Sequence, residues 1–383
     1  MSPARALYVY DGKMLDVGID AVVRRQLAAL TALGWGVDLV ARGRADVPGV
    51  EDHVSRYTVA NLISWLPRRY YYPAQKRRIS RRASRLLDGR EYAAVISWPQ
   101  RGLHAFRRAR ALSIPCVLNC DTVHFKMGRR ADRTTHWPEF SISEMDEEYR
   151  LATRILAPSE FSRQTFLDAG VPPEKLSVIG RGVDTGRYRP AENAEPARPF
   201  RLVFCGRVSE RKGIRQMIAA WRQAALEDAE LWIIGEVADD VADFVRENSG
   251  PGISVFGFRH DAEMLLRQCD AQILLSRHEG MAKGLLEGAA CGLATLATAH
   301  SGFPLREGMN GLAVGRKDIE DIARKLRLLY EDRELCRRMG RCAREQVVAE
   351  FSWERFAQRF TDALLQPPTG DTGRDTPPPR AAT

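Results

Sequence analysis

The chain has 383 residues, long enough for two domains with separate cores. Its 44% hydrophobic and 28% charged residues are ordinary for a globular protein, and no apolar run of about eighteen residues argues for a transmembrane helix. The net charge of +9 is uneven: residues 1–110 hold 20 Lys/Arg against 9 Asp/Glu, or +11, leaving −2 for the rest, so an anionic partner such as a membrane surface, a phosphorylated lipid or nucleic acid is implied.

Residues 6–10 read as a first strand, and the N-terminal stretch has none of the basic, apolar and small-residue regions of a signal peptide. Residues 19–33 have helical apolar spacing and end at Gly34. Further short apolar runs at 37–40, 93–97, 116–120, 153–157 and 176–179 read as strands separated by helix-length stretches. That alternation predicts an α/β domain with a parallel sheet covered on both faces. The Pro- and Ala-rich residues 190–199 read as a linker. A second alternation follows, with strands at 201–205, 231–234, 253–256, 271–275 and 294–297, then a helical stretch from Asp318 to Leu365. The expected fold is α/β with two doubly wound Rossmann-like domains facing across a cleft. Residues 1–189 form the first domain and 200–350 the second, with a helix at 351–366 crossing back and a disordered tail at 367–383. The seven cysteines are odd in number and lack any Cys-x-x-Cys pair, so they are expected as reduced, buried thiols of a cytosolic protein.

Two stretches carry the chemistry. After the strand at 201–205 comes Gly206-Arg207, with Lys212-Gly213 just before a helix. A fork and a point charge at one strand end suit a diphosphate, although alone the pattern also fits a solvated basic turn. After the strand at 271–275, Glu279 and Glu287 stand eight apart, separated by a glycine-bearing loop and the first turn of an apolar helix. Carboxylates accept hydrogen bonds from sugar hydroxyls, and a helix start offers amides and a positive dipole end to phosphate.

Together these residues resemble the retaining glycosyltransferases of family 4, which have the two-domain GT-B fold. The resemblance rests on Gly206-Arg-Val-Ser-Glu-Arg-Lys-Gly213, on Glu279-Gly-Met-Ala-Lys-Gly-Leu-Leu-Glu287 (the family's E-x7-E) and on Ala290-Cys-Gly292. Asn310-Gly-Leu312, Phe351-Ser-Trp353, Ala157-Pro-Ser-Glu-Phe-Ser162 and Gly182-Val-Asp184 add to it. It implies that Arg207 and Lys212 bind the donor's diphosphate, with Gly206 at the turn. It further implies that Glu287 accepts from the ribose and that Glu279 lies against the transferred sugar. Gly280, Met281, Ala282, Lys283, Gly284 and Leu285 then form the donor loop and helix start, and the base lies near Phe258 and Arg259. The first glycan-facing loop of many relatives has a Gly-Gly pair; here Gly18 follows Val17. A sugar-facing histidine of the relatives falls on or near Asp121, while a histidine stands at His124, and either is a candidate.

No cluster has metal-ligand spacing and no Asp-x-Asp ends a strand, so neither a metal nor another cofactor is expected. Residues 68–87 hold Arg68, Arg69, Lys76, Arg77, Arg78, Arg81, Arg82 and Arg85 and no acid, beside Trp65 and three tyrosines. Such a segment suits an anionic membrane surface; it also fits a solvated helix whose stripe of Ile79, Ala83, Leu86 and Leu87 packs on the sheet. Nucleic acid is not expected, because no nucleic-acid-binding motif accompanies it. The resulting expectation is a metal-independent glycosyltransferase, cytoplasmic and peripheral on the inner face of the plasma membrane. It moves a hexose from a nucleotide-sugar to a glycan or lipid-linked acceptor, in a setting such as bacterial surface polysaccharide synthesis. The rival readings are a non-catalytic membrane- or polyanion-binding protein that uses residues 66–87, and another GT-B enzyme such as a nucleotide-sugar epimerase.

Overall fold

The computed structural model describes residues 3–15, 18–55, 68–131, 139–192 and 198–366. Among them are two parallel sheets, of seven and six strands, as the alternation of elements predicts. The first contains β1 (Arg5–Val9), β2 (Gly36–Ala41), β3 (Val50–Val54), β4 (Ala94–Ser97), β5 (Cys116–Asn119), β6 (Arg154–Ala157) and β7 (Leu176–Val178), in the order β3-β2-β1-β4-β5-β6-β7. Its helices are α1 (Gly18–Ala32), α2 (Arg68–Leu86), α3 (Leu103–Ala111), α4 (Phe125–Ala131), α5 (Glu139–Leu151) and α6 (Glu160–Leu167). The strands are apolar at nearly every position because helices cover both faces. On α1 the buried residues Val22, Val23, Gln26, Leu27 and Leu30 recur at the helical period.

The second unit contains β8 (Phe200–Cys205), α7 (Ile214–Ala224), β9 (Ala229–Ile234), α8 (Ala242–Asn248), β10 (Ile253–Gly257), α9 (Ala262–Leu266), β11 (Ala271–Leu274), α10 (Lys283–Ala290), β12 (Ala294–Ala297) and β13 (Gly311–Ala313). Its sheet order is β10-β9-β8-β11-β12-β13. In each sheet the strand order reverses beside the first strand, between β1 and β4 and between β8 and β11. Ligands of such sheets sit outside the carboxyl ends of the strands at that point. The loops after β8 and β11, which hold Arg207, Lys212 and Glu279, flank it.

The expected helical stretch from 318 to 365 is three helices: α11 (Ile319–Glu331), α12 (Arg333–Glu350) and α13 (Trp353–Leu365). Two capping residues break it. The Asp332 side chain accepts from the Leu335 amide at 2.8 Å and the Ser352 hydroxyl from the Arg355 amide at 3.3 Å, each starting a new helix. Helix α13 lies on the first unit: Phe356, Phe360 and Ala363 share a core cluster with Ala6, Tyr8, Val22 and Leu27. The expected tail at 367–383 and much of the linker lie outside the described residues, as does Trp65.

Candidate functional site

The chain leaves β8 at Cys205 and turns through Gly206 and Arg207 to a short 3-10 turn, Glu210–Lys212, before α7 begins. This turn folds Lys212 back over the strand end; a Cβ built on Gly206 would lie 3.0 Å from Lys212 Nζ. Opposite, the loop between β11 and α10 brings in Glu279, whose carboxylate lies 2.8 Å from Arg211 Nη1 and 3.5 Å from Lys212 Nζ. Residues from two sequence-distant motifs thus meet at one sheet edge, as the spacing of the motifs suggests.

Helix α10 starts against the end of β8, and only a glycine permits that approach. A Cβ on Gly284 would stand 2.3 Å from the Cys205 carbonyl oxygen. This close seat places Glu287, one turn further on, beneath the same strand end. Glu287 is 6% exposed, and its Oε1 lies 2.7 Å from Lys283 Nζ but outside hydrogen-bonding geometry, so this buried oxygen has no directed donor. The Tyr188 phenol lies beside its carboxylate; burial, reinforced by that carboxylate, holds the Tyr188 hydroxyl well above its ordinary pKa. A buried acceptor with an unused lone pair is costly unless a donor arrives.

A cavity of about 490 Å³ opens between the two units over this edge. The second unit lines it with Gly206, Arg207, Phe258, Arg259, Lys283 and Glu287. The first unit adds Gly18, at the start of α1, and Arg25, while Arg181 to Asp184, Arg187, Tyr188 and Trp353 complete the wall.

The other expected residues fall in different places. Met281 and Leu285 are 5% and 3% exposed and belong to the second core, so their side chains are structural. Ala282 is also buried, and its amide already donates to the Ser301 carbonyl at 3.0 Å, which removes it from the expected set of phosphate-binding amides. Arg259 lines the cavity, but its guanidinium makes a fork to Asp261 at 2.8 and 2.7 Å. Gly280 packs against the first unit: a Cβ there would lie 2.1 Å from the Asp121 carbonyl oxygen. Asp121 therefore stands at the loop between β11 and α10. His124 does not, and this corrects its expectation as a sugar-facing residue. It is 2% exposed among Phe125, Tyr149 and Phe166, with ring centroids 4.6, 4.9 and 5.1 Å away, and burial pushes its imidazole down to about 4.

Three site residues escaped sequence reasoning. Arg211 was passed over in favour of Lys212 beside it, although it is the nearer cation to Glu279. Tyr188 follows Gly182-Val-Asp184 and reaches Glu287 only through the packing of that segment. Arg181 donates to the Asp121 carbonyl at 3.2 Å across the same edge. Being one residue before that signature was its only signal.

One group among the described residues brings three metal-ligating side chains together despite their unremarkable spacing. Ligand atoms of Asp38, Glu51 and His53 lie within 4.8 Å of one another. Cations already occupy the place: Arg5 and Arg90 each lie 2.9 Å from the buried Asp38 carboxylate, and Tyr92 donates to it at 2.9 Å. These contacts fasten β3 to the sheet edge. The cluster is an ion-pair network remote from the loop between β11 and α10.

The basic segment is helical over Arg68–Leu86, with Arg68 and Arg69 in its first turn and their side chains outside the described ones. Ile79, Ala83 and Leu87 are buried, with α2 packed on α3. Two cations leave the expected membrane-facing set. Lys76 hydrogen-bonds Gln100, and burial pushes its ammonium down to about 8, while Arg77 pairs with Glu144 at 2.7 Å. Arg78, Arg81, Arg82 and Arg85 remain exposed and line a concavity beside Ser55. Among the described residues, no helix is long and apolar enough to cross a membrane.

Comparison with known proteins agrees with the architecture. A family model described as Glycosyltransferase Family 4 matches residues 18–187, and one described as Glycosyl transferases group 1 matches residues 199–332. The chain is 26% identical over 353 residues to the putative glycosyltransferase EpsD of Bacillus subtilis, covering 86% of this chain and 89% of that one. It is 30% identical over 200 residues to the lipopolysaccharide core biosynthesis glycosyltransferase LpsE of Rhizobium meliloti, 50% of this chain and 57% of the other. Among solved structures, sucrose-phosphate synthase of Thermosynechococcus elongatus superposes with a TM-score of 0.74 at 19% identity, over 94% and 98% of the two chains. Anabaena HepE in complex with UDP and glucose gives 0.69 at 18%, over 94% and 98%.

Proposed function

We propose, because this chain belongs to the group 1 glycosyltransferases of family 4, that it moves a hexose from a nucleotide-sugar donor to a hydroxyl of a glycan or lipid-linked acceptor. Retention of anomeric configuration and independence of metal follow from the family reading. Similar proteins named for colanic acid biosynthesis, for lipopolysaccharide core biosynthesis and as a phosphatidylinositol monomannoside mannosyltransferase support a role in bacterial surface glycan assembly. We take residues 1–189 as the acceptor-binding domain and 200–350 as the donor-binding domain.

The observation that carries the donor site is the buried, underused Oε1 of Glu287 at the cavity wall. A ribose offers two neighbouring hydroxyl donors, which match a carboxylate already steadied by Tyr188 and Lys283. From there the diphosphate reaches Arg207 and Lys212. As the bond from the anomeric carbon to the phosphate oxygen breaks, its electron pair moves onto that oxygen, where these cations stabilise the charge. The acceptor hydroxyl oxygen bonds to the anomeric carbon, and its proton passes to the leaving phosphate. Glu279, held by Arg211 and Lys212, accepts from hydroxyls of the sugar being transferred. Enclosure between the domains keeps water from competing with the acceptor.

The remaining basic face of α2 supports peripheral attachment to an anionic membrane from the cytoplasmic side, near a lipid-linked acceptor. Turnover of UDP-, GDP-, ADP- and dTDP-sugars, followed by release of the nucleoside diphosphate, tests the reading. Failure of every nucleotide-sugar to bind or turn over overturns it.

A further inference from the structure

Ser159 caps α6: its Oγ accepts from the Ser162 amide at 3.0 Å. The same hydroxyl donates to the Gly280 carbonyl, 121 residues away on the donor loop of the other domain. Both its hydrogen-bonding roles are therefore used, and the residue is 3% exposed. The Gly280 peptide is the point at which the loop carrying Glu279 touches the first domain. It has the Asp121 carbonyl and the Pro158 ring on one side, where a Cβ would lie 2.1 and 2.8 Å away. The rings of Phe161 and His300, 5.2 Å apart, make a second contact across the same seam. On either side of Gly280 the loop is tied to its own domain, by Glu279 N to His300 O at 2.8 Å and Ala282 N to Ser301 O at 3.0 Å. Among the described side chains, Ser159 makes the hydrogen bond that crosses from the first domain to this loop.

We propose that Ser159 is a positioning residue for Glu279. Closure of the domains sets its hydroxyl on the Gly280 carbonyl and fixes the neighbouring Glu279 in the setting that meets the transferred sugar. The inference rests on Glu279 as the sugar-facing carboxylate. Arg207, Lys212 and Glu287 all belong to the second domain, so nucleotide affinity does not depend on Ser159. The consequence is a separation of effects: the hydroxyl governs the rate of transfer and leaves nucleotide affinity alone. A role confined to capping α6 would instead lower the melting temperature and leave the rate of the folded protein unchanged.

The test compares Ser159→Ala and Ser159→Thr in the full chain, using the nucleotide-sugar that the wild type turns over. Ser159→Ala should lower kcat about tenfold while the affinity for the nucleoside diphosphate stays within twofold. Ser159→Thr keeps both the cap and the hydroxyl and should restore most of the rate. A double-mutant cycle with Glu279→Gln adds a readout that a structural role would not move. If Ser159 acts through Glu279, Ser159→Ala costs little in that background. Unchanged kcat in Ser159→Ala, equal loss in both Ser159 variants, or a further tenfold loss on top of Glu279→Gln overturns the proposal. Full activity in Glu279→Gln would instead overturn the reading of Glu279 itself.

Discussion

The guanidinium of Arg211 lies 2.8 Å from the carboxylate of Glu279 and donates to the adjoining His278 carbonyl at 2.6 Å. It thereby holds both the side chain and the backbone of the donor loop. Lys212, 3.5 Å from the same carboxylate, is left with donors for the diphosphate. Arg211→Ala should therefore lower kcat about tenfold with little change in nucleoside diphosphate affinity, whereas Lys212→Ala should impair both. Arg211→Lys should not recover the rate, since both contacts come from Nη1 at the tip of the longer arginine side chain, beyond the reach of a lysine ammonium. Steady-state kinetics with nucleotide titration checks this. Equal effects of Arg211→Ala and Lys212→Ala on nucleotide affinity would contradict the division of labour.

Glu287 sits at 6% exposure with one oxygen lacking a directed donor. Charge-assisted hydrogen bonds of this kind contribute about 1.5–3 kcal/mol. Glu287→Ala should accordingly raise the donor KM by about 10- to 100-fold. Tyr188→Phe removes only the hydroxyl that orients the carboxylate and should have a smaller effect in the same direction. Calorimetric titration with the nucleoside diphosphate measures both. A Glu287→Ala protein that binds as tightly as the wild type would remove ribose recognition from this residue.

Most of this architecture could be read from the sequence, for a physical reason: strands buried on both faces are short apolar runs, and 116–120 or 271–275 cannot be mistaken for surface. Of the edge strands, β7 and β10 were legible as apolar runs, and β3 and β13 were not. Strand β3, Val-Glu-Asp-His-Val, has a charged centre, because it is held at the rim by Arg5, Arg90 and His53 around Asp38 rather than by burial. Strand β13, Gly-Leu-Ala, has three residues of which two are small, too few to form an apolar run. In the site, Glu279, Glu287, Arg207 and Lys212 stood out because motif spacing marks them. Tyr188 and Arg211 did not: a phenol reaching a carboxylate 99 positions on (287 − 188) leaves no local trace. His124 misled because a loop histidine near a strand end looks the same whether it faces a cleft or packs among Phe125, Tyr149 and Phe166.

That burial of His124 has a consequence for stability. Its folded pKa, pushed down to about 4 chiefly by burial, lies below the unfolded value near 6.5, so the unfolded chain binds the proton more readily between the two. The stabilisation is present above about pH 6.5 and is lost as pH falls through 4. The magnitude is on the order of 2–3 kcal/mol for a group this buried. His124→Asn should flatten the fall in stability between pH 6.5 and 4, as measured by denaturant unfolding at a series of pH values. Its nucleotide affinity should equal that of the wild type. An unchanged pH slope would mean that His124 is not the titrating group.

The membrane reading becomes narrower once the helix is seen in place. Ile79, Ala83 and Leu87 are committed to the core, so among its described side chains α2 has no free apolar face to insert into a bilayer. Attachment through those described side chains is therefore electrostatic. Nearby arginines are neutralised, Arg77 by Glu144, Arg90 by Glu51 and Asp38, Arg107 by Glu147 and Arg108 by Asp88. Arg78, Arg81, Arg82 and Arg85 have no such pairing among the described residues, and their spacing puts them on one face. Each basic side chain near an anionic surface contributes about 1 kcal/mol. Replacing all four by Glu should weaken binding to phosphatidylserine-containing vesicles by at least about 100-fold, and raised salt should have a similar effect on the wild type. Vesicle sedimentation across a salt series, with nucleotide affinity as the control for folding, reads both. Binding that survives the four substitutions and persists in high salt would place the membrane contact elsewhere on the molecule.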